Sequence, residues 1–310
     1  MRFSKIKHDI KYRTGIIMVM PSVIILILIS IFPLIYSLSL VFQKWNFTSG
    51  GKREFFGLGN FIILIKDARF WNSLEATIFI VFISVILELL IGLGLALLLN
   101  RKFKGDKFIR TLLVIPLVIS PIVIGTVWKL LYHQSYGLLN YILNIMHLKG
   151  IPWLTDLWIS KLSIIIVDTW QWAPFMFLII YGGLQMVPVE PLEAAKVDGA
   201  SGWQSFRFIT MPSLIQVMFV AIFIRLIDAF KLYDIVYVLT NGGPGISTEV
   251  LGFYTYLQGF RFFNLGYAAT LSYVLLIIIT VIVSYLFRFI FPNQKTKKIK
   301  VKQNVNSKTK

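Results

Sequence analysis

The 310-residue chain contains no cysteine. Disulfides, thiolate metal sites and thiol catalysis are thereby excluded. Its three histidines, His8, His133 and His147, are too scattered to suggest a metal cluster. Charge is scarce as well. Only 15% of the residues are charged, against about 25% in a soluble domain. Enzyme signatures are missing. There is no G-x-x-x-x-G-K-[ST] loop, so ATP is not bound by that device, and neither H-E-x-x-H nor G-x-S-x-G occurs. The run Gly242-Gly243-Pro244-Gly245 is glycine-rich, but no Lys-Ser or Lys-Thr follows it, so it reads as a turn.

What the chain has is apolar sequence. Hydrophobic residues make up 57% of it, in long blocks, which places it in the membrane class. A helical span needs ~20 mostly apolar residues. Six segments qualify: 16–41, 74–99, 108–131, 162–187, 212–239 and 267–291. The first follows a basic start, as a signal peptide would. Its apolar stretch is too long for a signal core of ~7–15 residues, so it reads as a retained helix, bent at Pro21 and Pro33.

The formal charge of +17 suits nucleic acid less well than a membrane protein, because Lys and Arg collect on cytoplasmic segments. Of the 31 basic residues, twenty fall in the N-terminal tail, the second connection, the fourth connection and the C-terminal tail. Nine fall in the alternate connections, and Arg225 and Lys231 fall inside the fifth apolar segment. Both termini are therefore expected in the cytoplasm. The expected organisation is a basic tail over 1–15, a first span with its extracytoplasmic connection over 16–73, a five-helix core over 74–291, and a basic, polar and disordered tail over 292–310. The aromatic-rich connections 42–73 and 132–161 suit the headgroup level or a small folded cap.

A polar loop, 188–211, separates the fourth and fifth apolar segments. Pro188 and Pro191 favour a helix start, with Glu190 and Glu193 at its positive end. Gly199 is placed to end that helix. A second short helix from about 201 to 208 is expected to complete a cytoplasmic hairpin, with Pro212 opening the next span. Local physics leaves two readings open: an amphipathic connector lying on lipid, or a docking element.

Charges inside the spans need partners. The fifth segment carries Arg225, Asp228, Lys231 and Asp234, whose i, i+3 spacing allows pairing along one helix. Each mid-membrane charge costs ~2.5–3.5 kcal/mol, so these residues are expected to face the bundle. They form either a structural ion network or the border of a polar pathway. Glu88, Asp168, Trp170 and Trp172 raise the same alternatives. Tryptophan beside Asp168 and Gln171 would suit a sugar, while packing is the plainer role.

Glu193-Ala194-Ala195, Asp198-Gly199-Ala200, Ile209 and Pro212 resemble the EAA motif of ABC importer permeases: EAA, three residues, G, nine residues, I, a hydrophobic residue and P. The resemblance extends over nearly the whole chain. Gly57-Leu58-Gly59-Asn60-Phe61 is similar to the GL-x-NF signature of sugar-type permeases, with Gly59 where Asp is common. Leu239-Thr240-Asn241-Gly242-Gly243-Pro244 is similar to their LT-x-GGP segment, and Gly266-Tyr267-Ala268-Ala269 to their GYA-x-A segment. This branch includes maltose and glycerol-phosphate permeases, and the chain looks like the partner related to the maltose F-subunit.

The resemblance implies an all-α integral membrane protein with six transmembrane helices and a cytoplasmic coupling helix between spans 4 and 5. Glu193, Ala194, Ala195, Asp198, Gly199 and Ala200 would dock on an ATPase. The implied partners are two ABC ATPase subunits, a second and different permease, and an extracytoplasmic substrate-binding protein. The chain itself would bind no cofactor, ATP and Mg being held by the ATPase. The implied location is the cytoplasmic membrane of a bacterium or archaeon. The cargo would be a sugar or oligosaccharide; glycerol phosphate or another solute is the alternative, and the cationic Arg225 and Lys231 leave it open. Two rivals come from other classes. A membrane enzyme would need converging catalytic groups. An ion-coupled transporter would be marked by an internal inverted repeat and interrupted helices.

Overall fold

The computed structural model describes residues 17–290, except 49, 102 and 103, and excluding the side chains of 289 and 290. The basic tails expected over 1–15 and 292–310 lie outside the described residues. The described chain is mostly helical. Five helices are long and apolar enough to cross a membrane, and a sharply bent pair makes six if counted as one crossing.

The chain forms two compact units. Among the described residues, one comprises 17–67 together with 255–274; the other comprises 68–254 together with 275–290. In the first unit, α1 (Ile17–Val41) leads into an antiparallel hairpin of β1 (Gln43–Trp45) and β2 (Arg53–Phe55), in the register Lys44↔Glu54. Helix α2 (Gly59–Lys66) follows. Asn60, buried at the start of α2, donates through Nδ2 to the carbonyls of Val41 and Gln43, at 2.8 and 3.0 Å. The hairpin is thereby tied to the end of α1. Gly57 takes a φ of 53°, which glycine adopts freely. The Gly57–Phe61 signature is thus a turn followed by an amide clamp. Of the aromatic connection expected over 42–73, the part up to Lys66 forms this hairpin and helix, while residues 68–73 are the first turns of the next long helix, Ala68–Leu99.

The second unit is built on α3 (Ala68–Leu99) packed along α7 (Ile159–Leu184). Buried residues of α3 recur every three or four positions, from Ser73 through Thr77, Ile80, Ser84, Glu88 and Gly92 to Ala96, a single inward stripe. Gly92 lets the two backbones approach: a Cβ there would lie 2.5 Å from Cβ of Met176. Small residues serve close helix contact in membranes, where apolar side chains gain little from leaving lipid. The core around Met176, Phe177, Ile180 and Leu184 is completed by Leu214, Met218 and Ala221 of α9 (Gly202–Ala229).

The remaining elements are α4 (Asp106–Val118), α5 (Pro121–Leu131), α6 (Leu138–Ile145), α8 (Val189–Val197), α10 (Asp234–Leu239), α11 (Leu251–Tyr256), which a π-turn at Leu257–Arg261 continues, and α12 (Leu265–Ile290). The connection expected to be structured over 132–161 contains α6.

Three expectations need correction. The third apolar segment is not one helix: α4 and α5 meet at 99°. Pro121 opens α5 at its first turn and holds Ser120 at ψ 136°, outside the helical region. The fifth segment does not run helically to 239. Helix α9 stops at Ala229, and the chain turns through Phe230 to Tyr233 before α10 begins at Asp234. Lys231 and Asp234 are therefore not on the helix that carries Arg225, and the expected pairing along one helix reduces to Arg225 and Asp228. Finally, the second helix of the loop is not a separate element. It is the first part of α9, which runs from Gly202 with a π-turn at Phe206–Thr210.

Candidate functional site

Three helices of the second unit converge on one charge cluster. Arg225 of α9 donates from Nε and Nη2 to the two carboxylate oxygens of Glu88 on α3, at 2.8 and 2.9 Å. Nη2 also donates to Oδ2 of Asp168 on α7, at 2.6 Å. Nη1 lies 3.5 Å from Asp228 Oδ2, a weak contact with a half-exposed carboxylate. The Trp172 ring covers the guanidinium, 4.7 Å from centroid to carbon. Arg225, Glu88 and Asp168 are all buried. Desolvating these charges is costly, and the bidentate geometry with its extra hydrogen bonds offsets that cost. The buried set carries two carboxylates against one guanidinium.

A pocket of about 190 Å³ opens beside this cluster. Two helix interruptions meet there. Pro121, at the α4–α5 bend, contributes one wall, and residues 231–235, spanning the α9–α10 break, contribute another. Gln171 Nε2 donates to the carbonyl of Ile119, which the bend has freed, at 3.4 Å. Gln171 Oε1 is buried with no hydrogen-bond partner among the described residues. Asp168 Oδ1 is left with the Ser84 hydroxyl as a neighbour and no hydrogen bond of good geometry. Buried polar atoms are normally paired, so Gln171 Oε1, an acceptor without a donor beside a cavity, marks a place for one.

The structure therefore joins Glu88, Asp168 and Arg225 directly. It sets Asp228 at the edge of the cluster and brings Trp172, Lys231 and Asp234 to the pocket wall. It separates Trp170, which packs against Trp128 with ring centroids 5.8 Å apart and lines a different, apolar groove between α3, α4 and α7. Two residues apart on a helix, the tryptophans face opposite ways. The bend at Pro121 was not anticipated. The Ser120-Pro121 step was its signal, since proline biases the preceding residue out of the helical region.

A second feature lies beyond the C-terminal end of α7. Pro188 precedes α8, whose end closes in a Schellman arrangement: Gly199 N–H donates to the Lys196 carbonyl at 3.2 Å, and Ala200 N–H to the Ala195 carbonyl at 2.8 Å. Gly199 supplies the required left-handed residue, with φ 76°. A capping box follows at once. Ser201 and Gln204 satisfy each other's backbone N–H groups at the start of α9. The nine residues of α8 include none that is buried. Glu193, Ala194, Asp198 and Gly199 are exposed, and Ala195 and Ala200 are half-buried. Helices this short are marginal without packing, so α8 is held at its ends while its faces stay open.

Residues 88–294 match the family model described as the binding-protein-dependent transport system inner membrane component. The chain belongs to this family. It is 36% identical to the trehalose/maltose transport system permease protein MalF of Thermococcus litoralis, over 85% of this chain and 87% of that one. It is 34% identical to the sn-glycerol-3-phosphate transport system permease protein UgpA of Agrobacterium fabrum, over 78% and 82%. In fold it is similar to a crystal structure of a bacterial ABC transporter involved in import of the acidic polysaccharide alginate, with a TM-score of 0.80, 22% identity, and coverage of 93% and 97%. The chain is thus a membrane permease subunit of an ABC importer. Interrupted helices, expected of an ion-coupled transporter, do occur in this permease, but its family assigns it to the ABC class.

Proposed function

We propose that this permease crosses the membrane six times, with the bent α4–α5 pair as one crossing and both termini in the cytoplasm. Paired with a second, different permease, it forms the passage for a neutral sugar or oligosaccharide that an extracytoplasmic binding protein delivers. Helix α8 is the coupling helix. It seats on an ABC ATPase, two of which drive the cycle with ATP and Mg held on their own chains.

The observation that carries this reading is the state of α8. It is a helix with fixed ends, no buried side chain, and Glu193, Ala194 and Gly199 at the EAA spacing. Its open faces need a partner, and small alanines allow close approach. Exposed Trp203 and Phe208 at the start of α9 extend the apolar surface beside it. ATP binding would close the ATPases, move α8, and so shift the helices that line the pocket between two arrangements. Cargo must bind those arrangements with different affinity for the cycle to release it.

For the cargo, the pocket beside Arg225 favours hydroxyl donors over phosphate. Arg225 is the natural phosphate ligand, but its Nε and Nη2 donors are committed to Glu88 and Asp168. The unpaired Gln171 Oε1 is an acceptor, which suits a sugar hydroxyl and repels phosphate oxygens. A relative named for glycerol phosphate keeps that cargo in view, and Lys231, exposed on the pocket wall, is the lining cation that would favour it.

The test is purification of the tagged chain from its native membrane in mild detergent, followed by identification of what it retains. Recovery of an ATPase and a second permease, with the ATPase lost in Gly199→Asp, is the expected result. A chain that comes down alone, and transports in vesicles without ATP, would overturn the reading.

A further inference from the structure

The segment between α5 and α7 encloses a cleft of about 430 Å³ that transport through the pocket leaves unused. It lies at the opposite end of α7 from α8, which the proposed orientation makes the extracytoplasmic side. Two tyrosines border it, Tyr136 at 67% exposure and Tyr141 at 61%. The Tyr136 ring stacks on the His133 imidazole, with centroids 3.4 Å apart and planes within 12°. The imidazole is itself held, because its Nδ1 accepts from the Ser135 N–H at 3.2 Å. One face of the tyrosine is therefore fixed and the other is open.

The floor is rigid. Asn140 is buried and makes four hydrogen bonds. It donates to the carbonyls of Gln134 and Ile151, and accepts from the Ile151 N–H and the Trp153 indole N–H, all between 3.0 and 3.2 Å. Gly137 fits a turn in which a Cβ would stand 2.5 Å from the Leu131 carbonyl oxygen. The side-chain amides of Gln134 and Asn144, both exposed on the cleft, have no hydrogen-bond partner among the described residues. No Lys, Arg, Asp or Glu lines it.

Open aromatic faces with free amides and no charge match one ligand chemistry. A pyranose ring offers an apolar C–H face for stacking and hydroxyls that both donate and accept, as an amide does. A phosphate finds no cation here, and an acyl chain would strip water from the amides without replacing it. We infer that this cleft is a second carbohydrate subsite on the extracytoplasmic face, stacking a neutral sugar on Tyr136 and Tyr141 and hydrogen-bonding it through Gln134 and Asn144. It is separate from the membrane pocket, and rests on the proposed orientation and neutral cargo. Rigid surroundings reduce the ordering that binding would otherwise require.

The experiment is saturation-transfer NMR on the full permease complex in lipid nanodiscs, without binding protein, using maltose and glucose as probes and glycerol 3-phosphate as control. The expected result is transfer to sugar C–H protons and none to the control. Tyr136→Ala should weaken binding by about tenfold, Tyr136→Phe should retain it, and Asn144→Ala should weaken it without touching the aromatic stack. Gly94→Ala, at a position that has open space around its Cβ and lines neither the cleft nor the membrane pocket, should leave it unchanged. Absence of transfer in the wild type overturns the inference, as does transfer that neither Tyr136→Ala nor Asn144→Ala reduces. ATP-dependent uptake by the same preparation with its binding protein separates the two readings. Sugar uptake without cleft binding overturns the subsite alone, and cleft binding without sugar uptake overturns the cargo assignment alone.

Discussion

Arg225 and Glu88, 137 residues apart in sequence, form a two-pronged ion pair at 2.8 and 2.9 Å with both side chains almost completely buried. It links α9 to α3, and Asp168 joins α7 to the same guanidinium. The three helices that pack the core of the second unit therefore share a single electrostatic joint.

Breaking that joint from one side leaves a buried charge without its partner. Arg225→Ala is expected to destabilise the permease by ~3–5 kcal/mol. Arg225→Lys should not restore the wild-type value, because an ammonium cannot span Glu88 and Asp168 in a planar fork. Thermal unfolding of the purified complex, followed by loss of monodispersity, checks both. Equal midpoints for the Lys variant and the wild type would show that charge alone suffices.

Close approach of α3 and α7 depends on the absence of a side chain at Gly92. Its added Cβ would meet Met176 Cβ at 2.5 Å and the Phe177 backbone nitrogen at 2.8 Å, and backbone cannot swing aside. Gly92→Val should lower stability by ~1–3 kcal/mol through overpacking. Gly94, two residues on, has open space around its Cβ position and is the matched control. Gly94→Ala should leave the unfolding midpoint within error, and a comparable loss at both sites would remove the packing explanation.

The mismatch between sequence and structure has a physical pattern. Apolar length marked the helices that pack, and the EAA spacing marked α8 with its glycine end, because both depend on local sequence. Pro121 carried a local signal for the bend in the third segment, masked by unbroken hydrophobicity on either side. The end of α9 carried none. Phe230, Lys231, Leu232 and Tyr233 include no helix breaker, and the turn there is set by tertiary contacts, with Phe230 buried. Partners across helices were equally invisible. The charges of the fifth segment were paired along one helix by spacing, yet Arg225 finds its strong partners on α3 and α7. Trp170 and Trp172 stood together in the sequence and part in space, because the helical step turns them to opposite sides.

Gly199 has no neighbour within 4 Å of its Cβ position, so substitution there tests backbone conformation alone. Its φ of 76° disfavours any residue with a Cβ. Gly199→Ala should fray the end of α8 at a cost of about 1 kcal/mol, leaving the unfolding midpoint of the membrane core unchanged and reducing ATPase retention. Gly199→Asp adds a charge at the negative end of α8, which the helix dipole opposes, and should reduce retention further. Graded loss across Ala and Asp, measured as the ATPase-to-permease ratio after purification, is the expected order. Full retention in both would mean that the end of α8 does not govern docking.

Gln171 joins the bend to the pocket. Its Nε2 holds the Ile119 carbonyl, and its Oε1 has no donor. The two ends of the amide can be tested separately. Gln171→Glu keeps an acceptor but loses the donor, so the carbonyl freed at the bend is unpaired and an extra negative charge enters the pocket. Gln171→Leu removes both. If Oε1 accepts a cargo hydroxyl, Leu should weaken transport by ~1–3 kcal/mol, the range for an unmade buried hydrogen bond, with a raised KM for sugar and a nearly unchanged ATPase rate. If the amide only braces the bend, both variants should lower the unfolding midpoint together, and uptake should fall in proportion to folded complex. ATP-dependent uptake of radiolabelled sugar into proteoliposomes, normalised to assembled complex, distinguishes the two. A sugar-specific KM effect at constant folded fraction would place Gln171 on the path of the cargo, and a loss that tracks stability alone would place it in the frame.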